Sequence, residues 1–162
     1  MKKGLILVVI LAVGLLAVPT AAFAKPSGFA IGAEVASINF NGWGGRLVFH
    51  LPSIPLYFGV GGFIEQGGSA FDFTIDYWLL HHHLSGMLDF YLGIGGYLAF
   101  GTGNAASFAL GARLPIGLQI WPLGSVLEIF LEIAPAWVPV NGNGTDLGLF
   151  EVQPAVGFRI WI

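Results

Sequence analysis

The chain has 162 residues, of which 56% are hydrophobic and only 9% charged, with 25 glycines, 14 phenylalanines, 5 tryptophans and no cysteine. Charge this sparse cannot clothe an ordinary soluble surface, because soluble domains carry roughly a quarter charged residues. The formal net charge of −3 also excludes the basic footprint of a nucleic-acid binder, and the lack of cysteine excludes a disulfide framework.

The first segment, MKKGLILVVILAVGLLAVPTAAFA, joins Lys2 and Lys3 to an uncharged apolar run that closes on Ala22, Phe23 and Ala24. A small-x-small triplet after such a run is the pattern of a cleaved export signal. The run is long enough for a transmembrane anchor, but Pro19 and the closing triplet favour cleavage. Residues 1–24 are therefore expected to be a signal peptide, and residues 25–162 a single domain. That domain holds four basic residues, Lys25, Arg46, Arg113 and Arg159, against nine acids.

From there on, apolar residues recur at every second position. In AFDFTIDYW, Phe71, Phe73, Ile75 and Tyr77 take one parity, and Asp72, Thr74 and Asp76 the other. Period two bounded by turn residues predicts strands. Eight are expected, at about 28–39, 43–51, 55–66, 69–80, 87–101, 106–121, 126–138 and 147–162. The connections NFNG, PSIP, GGS, HHHLSG, GTGNA, PLGS and NGNGTD are short and rich in turn formers. Short links join neighbours antiparallel, so the topology is an up-and-down meander. The run from Phe90 to Ala112 is uncharged and long enough for a membrane helix, but six glycines and strict alternation make it strand.

Tyr57-Phe-Gly-Val-Gly-Gly-Phe63 matches Tyr91-Leu-Gly-Ile-Gly-Gly-Tyr97 at an offset of 34 residues, or two strands. The third and fifth strands should therefore do the same job in a closed sheet. In both copies the tyrosine and two glycines fall on the charged parity, a way to fit bulky side chains into a narrow barrel.

The apolar parity carries Trp43, Phe49, Phe58, Phe71, Phe73, Phe90, Phe108, Ile129, Leu131, Phe150, Phe158 and Ile160. The other parity is glycine, alanine, tyrosine and a few acids, which makes an implausible soluble surface and argues against a soluble lipid-binding barrel. The inverted arrangement fits: rings toward lipid, charges toward the lumen. In hydrocarbon every backbone group must pair, so the sheet must close. The predicted fold is all-β, a closed eight-stranded antiparallel up-and-down transmembrane β-barrel with its apolar face to lipid and a charged, glycine-rich lumen. Eight strands leave a lumen that side chains can fill. Both termini are expected on the periplasmic side, with PSIP, HHHLSG and PLGS as periplasmic turns and the other four connections extracellular.

The lumen parity collects Glu34, Arg46, Glu65, Asp72, Asp76, Asp89, Arg113, Glu128, Glu132, Glu151 and Arg159. Arginine suits such a site because its planar fork pairs carboxylates and keeps its charge. Hairpin geometry sets Glu34 against Arg46. A turn near Gly67 and Gly68 sets Glu65 nearly opposite Asp72 at the extracellular rim. The NGNGTD turn sets Glu128 against Arg159, with Glu132 opposite Pro154 or beside Gln153 and Arg113 approaching Glu132 diagonally. His81 and His83 are weak metal candidates, since imidazole is a common ligand, but they are expected in a solvated turn and no metal site is assigned. No cofactor is expected.

The last strand ends Gly157-Phe158-Arg159-Ile160-Trp161-Ile162. This resembles the Gly-x-x-apolar-x-apolar assembly signal of outer-membrane barrels, with Ile in the final place where an aromatic is usual. The run LGARLPIGLQIWPLGSVLEIFLEIAPAW, Leu110 to Trp137, together with YLGIGG is similar to the small OmpW-like barrel family of spirochaetes. The resemblance implies an eight-stranded outer-membrane barrel and no catalytic motif. No G-x-S-x-G is present, and all four histidines fall at one end. The expected function is that of a non-enzymatic integral outer-membrane protein with a structural or surface-interaction role. The alternative is a narrow porin-like conduit for small or cationic solutes. Expected partners are outer-membrane lipid, the barrel-assembly machinery through the C-terminal strand, and an unidentified extracellular partner.

Overall fold

The computed structural model describes residues 28–40, 42–65, 68–103, 108–141, 144–145 and 150–162. The expected signal peptide, 1–24, lies outside them. The strands are β1 (Ala30–Ile38), β2 (Gly42–Leu51), β3 (Ile54–Glu65), β4 (Gly68–Ser85), β5 (Leu88–Gly103), β6 (Phe108–Arg113), β7 (Ile116–Ile120), β8 (Leu127–Asn141), β9 (Gly144–Thr145) and β10 (Phe150–Trp161). β6 and β7 follow one another along a single wall position between β5 and β8. β9 is a two-residue extension paired with the end of β8. The wall therefore has eight positions, each antiparallel to its neighbours in chain order.

The ring closes through β1 and β10, from Ala30 opposite Trp161 to Ala36 opposite Ala155. Among the described residues each of the eight wall positions is thereby paired on both sides, which is the condition for spanning hydrocarbon. Alternation then divides the side chains. Phe71, Phe73, Leu131, Phe150, Phe158 and Ile160 are exposed outward, while Asp72, Thr74, Glu128, Phe130, Glu132 and Arg159 are buried inward. The outer surface is apolar and the inner one polar, as the composition requires.

Three expectations need correction. The wall strand expected over 106–121 is interrupted at Leu114 and Pro115. Pro115, and Pro135 opposite Leu114, each lack the N–H that a ladder needs. The chain nevertheless stays in place, with Leu114 N donating to Pro135 O at 2.9 Å and Gly93 N to Pro115 O at 2.8 Å.

Next, the strand expected to end at residue 80 runs on to Ser85, so HHHLSG is mostly strand rather than turn. A bulge at Leu79, between the pairs Trp78–Gly93 and Leu80–Leu92, reverses the alternation. His81 consequently points inward instead of lying in a solvated loop.

Finally, Glu65 and Asp72 are not opposite one another. Glu65 faces Gly68 and Asp72 faces Gly61, because the β3–β4 ladder runs in register out to the Glu65–Gly68 pair.

Candidate functional site: the lumen charge network

The lumen side chains form a continuous filling that begins with the first hairpin. Glu34 on β1 faces Arg46 on β2, and Arg46 Nη1 donates to Glu34 Oε1 at 2.8 Å. The other side of the same guanidinium reaches across the lumen to β4, where Nε donates to Asp72 Oδ2 at 2.6 Å. Arg46 also lies over the Phe63 ring, 5.0 Å from its centroid. Asp72 is thus neutralised by arginine and does not crowd a second acid.

Arg113 on β6 is the centre of a second group. Its Nε lies 3.1 Å from Asp76 Oδ1 on β4. Its Nη2 pairs with Glu132 Oε1 on β8, and its Nη1 donates to Gln153 Oε1 on β10 at 2.9 Å. The Tyr91 hydroxyl on β5 donates to Glu132 Oε2 at 2.5 Å. Five wall positions meet at this one site. Glu132 faces Ala155, one residue beyond the expected Pro154, while the diagonal approach of Arg113 is as expected.

The third group lies nearer the chain termini. Glu128 faces Arg159 in register, and Arg159 Nη1 pairs with Glu128 Oε1. Trp161 Nε1 donates to Glu128 Oε2 at 2.8 Å, and Gln119 Nε2 donates to Oε1 at 2.6 Å. With its amide nitrogen committed to Glu128, Gln119 turns its oxygen to His81 Nε2 at 2.9 Å. That orientation requires the proton of neutral His81 to sit on Nε2. His81 Nε2 lies 3.4 Å from Asp89 Oδ2, and His83 Nδ1 is 2.7 Å from Asp89 Oδ1. Among the described residues no group of three or more metal-type donors is arranged to hold an ion.

A stack of rings bridges the second and third groups. Trp78 on β4 is sandwiched between Tyr57 on β3 at 3.7 Å and Tyr91 on β5 at 4.3 Å, nearly parallel to both. Arg159 lies over Phe130 at 4.0 Å and over Tyr57 at 5.2 Å. This explains the repeated Tyr-x-Gly-x-Gly pattern. Its two tyrosines clasp the indole of the strand between them. Its glycines face the large groups of neighbouring strands, Gly61 opposite Asp72 and Gly95 opposite Asp76. A Cβ at Gly61 would strike Arg46, and one at Gly95 would strike Asp76. Gly117 makes the corresponding room for the Tyr91 ring.

Of the eleven expected network residues, eight are joined in the three arginine groups and Asp89 in the histidine pair. Glu151 is half-buried, opposite Ala136 on β8. The lumen position expected for the Glu65 side chain lies outside the described residues. Sequence reasoning from charges gave no lumen role to Trp78, Gln119 or Trp161, and it set Tyr57, Tyr91 and Gln153 on the lumen side without finding the stack and the hydrogen bonds they make. The parity that selected the acids picks out every one of them, Gln119 included, because register and alternation carry through the Pro115 interruption unchanged from Arg113.

The same meander with the same closure is found in solved structures. Neisserial surface protein A (NspA) matches with a TM-score of 0.55 at 14% identity, over 84% of this chain and 98% of that one. The N-terminal β-barrel domain of Pseudomonas aeruginosa OprF matches with a TM-score of 0.52 at 12% identity, over 83% and 96%. The fold is that of the small outer-membrane β-barrels. No family model and no curated protein matches the sequence. At these identities the likeness concerns the fold and carries no site residue across.

Within that fold, this lumen is packed. Arg46 and Arg113 are each 2% exposed and Arg159 4%. Arginines lining a water-filled bore would be wetted along their length. Here each is enclosed by carboxylates, amides and rings from across the barrel.

Proposed function

We propose that this chain is an integral outer-membrane β-barrel with a closed lumen, serving a structural or surface-interaction role without catalysis. The observation that carries the reading is the burial of all three lumen arginines. Carboxylates and guanidiniums that satisfy one another across a barrel stiffen it from within and leave no column of water for a solute. The outward apolar side chains support residence in lipid, because exposing them to water would cost about 25 cal/mol for each Å². The kinship with OmpW-like barrels of spirochaetes belongs to this proposal, as do engagement of the assembly machinery by the C-terminal strand and contact with an extracellular partner through the loop end.

The test is single-channel recording of refolded protein in planar bilayers. A packed lumen gives a quiet membrane after insertion, with insertion itself verified by protease protection. Reproducible conductance steps, especially cation-selective ones given the excess of acids, would replace this reading with the narrow-conduit alternative.

A further inference from the structure

The end of the barrel that carries both termini also carries three turns: residues 52–53 between β2 and β3, residues 86–87 between β4 and β5, and residues 121–126 between β7 and β8. Turns that project into water ordinarily bear charge. These do not: no Asp, Glu, Lys or Arg occurs in 52–55, 84–88 or 121–127. Apart from Ser53, Ser85 and Ser125, their exposed side chains are apolar. Leu123 is 64% exposed and Met87 60%, and Ile54, Leu84 and Val126 are exposed beside them. Ile162 at the chain end is 83% exposed. These residues continue without a break from the outward apolar wall through Leu79, Leu118, Ile120, Ile129 and Ile160.

The backbone pairing at this end runs right up to the turns. Trp121 N donates to Met87 O at 3.0 Å, tying one turn to its neighbour. Trp161 N donates to Val126 O at 2.9 Å, tying the last strand to the third turn, and Val126 N closes back on Leu123 O at 3.3 Å. Phe29 and Ile162 exchange both bonds, at 3.1 and 2.8 Å. The bonds between Trp121 and Met87, Trp161 and Val126, and Phe29 and Ile162 are the final rungs of three wall ladders, carried one residue past the strand ends into the turns. Pairing carried this far leaves fewer bare backbone groups at the end of the wall, which suits a position bordering hydrocarbon, where an unpaired group is costly. Gly86 and Gly124 adopt the left-handed conformation that permits these tight reversals, with φ of 60° and 62°.

We propose that the turns at the terminal end of the barrel lie within the membrane interface, in contact with lipid. The occupant of this surface is the headgroup–acyl boundary of the leaflet, not a soluble protein, because the patch is continuous with the lipid-facing wall. The proposal rests on the membrane-barrel reading above, and the experiment separates the two.

The chain contains no cysteine, so single substitutions give unique labelling sites. Met87→Cys and Leu123→Cys place a polarity-sensitive NBD probe on two different turns. Val60→Cys, outward in the middle of β3, is the reference for the wall. Each variant is refolded into phosphatidylcholine–phosphatidylglycerol vesicles and checked by gel mobility. The expected result is blue-shifted NBD emission at both turns, strong quenching by lipids brominated high on the acyl chain, and little quenching by iodide. If Val60 is quenched by brominated lipid while both turn probes emit as in water and yield to iodide, the barrel spans the membrane but the turns are aqueous, and the proposal fails. If the Val60 probe itself escapes lipid quenching, the membrane-barrel reading fails and takes the proposal with it.

Discussion

Replacing Arg113 with Met keeps the stem of the side chain and removes its charge and every hydrogen bond. Arg113 serves Asp76 on β4 at 3.1 Å, Glu132 on β8 and Gln153 on β10 at 2.9 Å. All of these partners are buried. Asp76 and Glu132 would then lose the guanidinium that pairs them both, while the Tyr91 hydroxyl still donates to Glu132. Breaking a buried pair in this way costs about 3–5 kcal/mol, whereas a solvated pair is worth about 0–1 kcal/mol. The two estimates do not overlap, so the experiment measures how dry the lumen is. Equilibrium unfolding of the refolded barrel in denaturant, followed by tryptophan fluorescence and by the mobility shift between folded and boiled protein, gives the difference. A triple variant, Arg113→Met with Asp76→Asn and Glu132→Gln, removes the stranded charges and should recover most of the loss. A loss below about 1 kcal/mol for Arg113→Met alone would refute the reasoning. So would a triple variant no more stable than the single one, since the damage could not then come from uncompensated carboxylates.

Three other substitutions test separate parts of the lumen and wall. Gly117→Val drives a side chain into the Tyr91 ring and should destabilise the barrel by about 1–3 kcal/mol through overpacking; pairing it with Tyr91→Leu should return part of that loss in a double-mutant cycle, and strict additivity would show that the two do not touch. Trp78→Ala removes the indole held between Tyr57 and Tyr91 and should cost about 3–5 kcal/mol, with loss of near-ultraviolet dichroism; an unchanged aromatic signal would contradict the stack. Asn39 and Phe40 form the first hairpin with φ of 51° and 61°, a conformation that costs an L-residue with a bulky side chain roughly 1–2 kcal/mol. Phe40→Gly should therefore stabilise the barrel in detergent, in part offset by the flexibility of glycine; a clear destabilisation would show that the exposed Phe40 ring is held by something outside the chain.

By itself the sequence determined the strands, the two faces and the near-neighbour pairs. Period-two alternation is a local property that survives any arrangement of the wall, and the shortage of charge decides which face meets lipid. Glu34–Arg46 and Glu128–Arg159 were legible because each pair spans one hairpin, whose turn fixes the register. Where the turn was misplaced, the inference failed. The pairing of Glu65 with Gly68 separates Glu65 from Asp72, and the bulge at Leu79 carries β4 through the histidines and points His81 inward. One residue more or less in a strand reverses every side chain beyond it, and neither composition nor periodicity marks that residue.

Only closure of the barrel decided the rest. The pairing of β1 with β10 brings together residues more than a hundred positions apart. Over Gly61 and Gly95, Arg46 then meets Asp72 and Arg113 meets Asp76, each two wall positions away, and Arg113 adds Gln153 to Glu132, the one partner already expected. Those contacts depend on tilt and shear, which are properties of the whole ring. A list of three arginines and eight acids becomes a packed lumen only when the wall curves round and the opposite strands come within reach of a side chain.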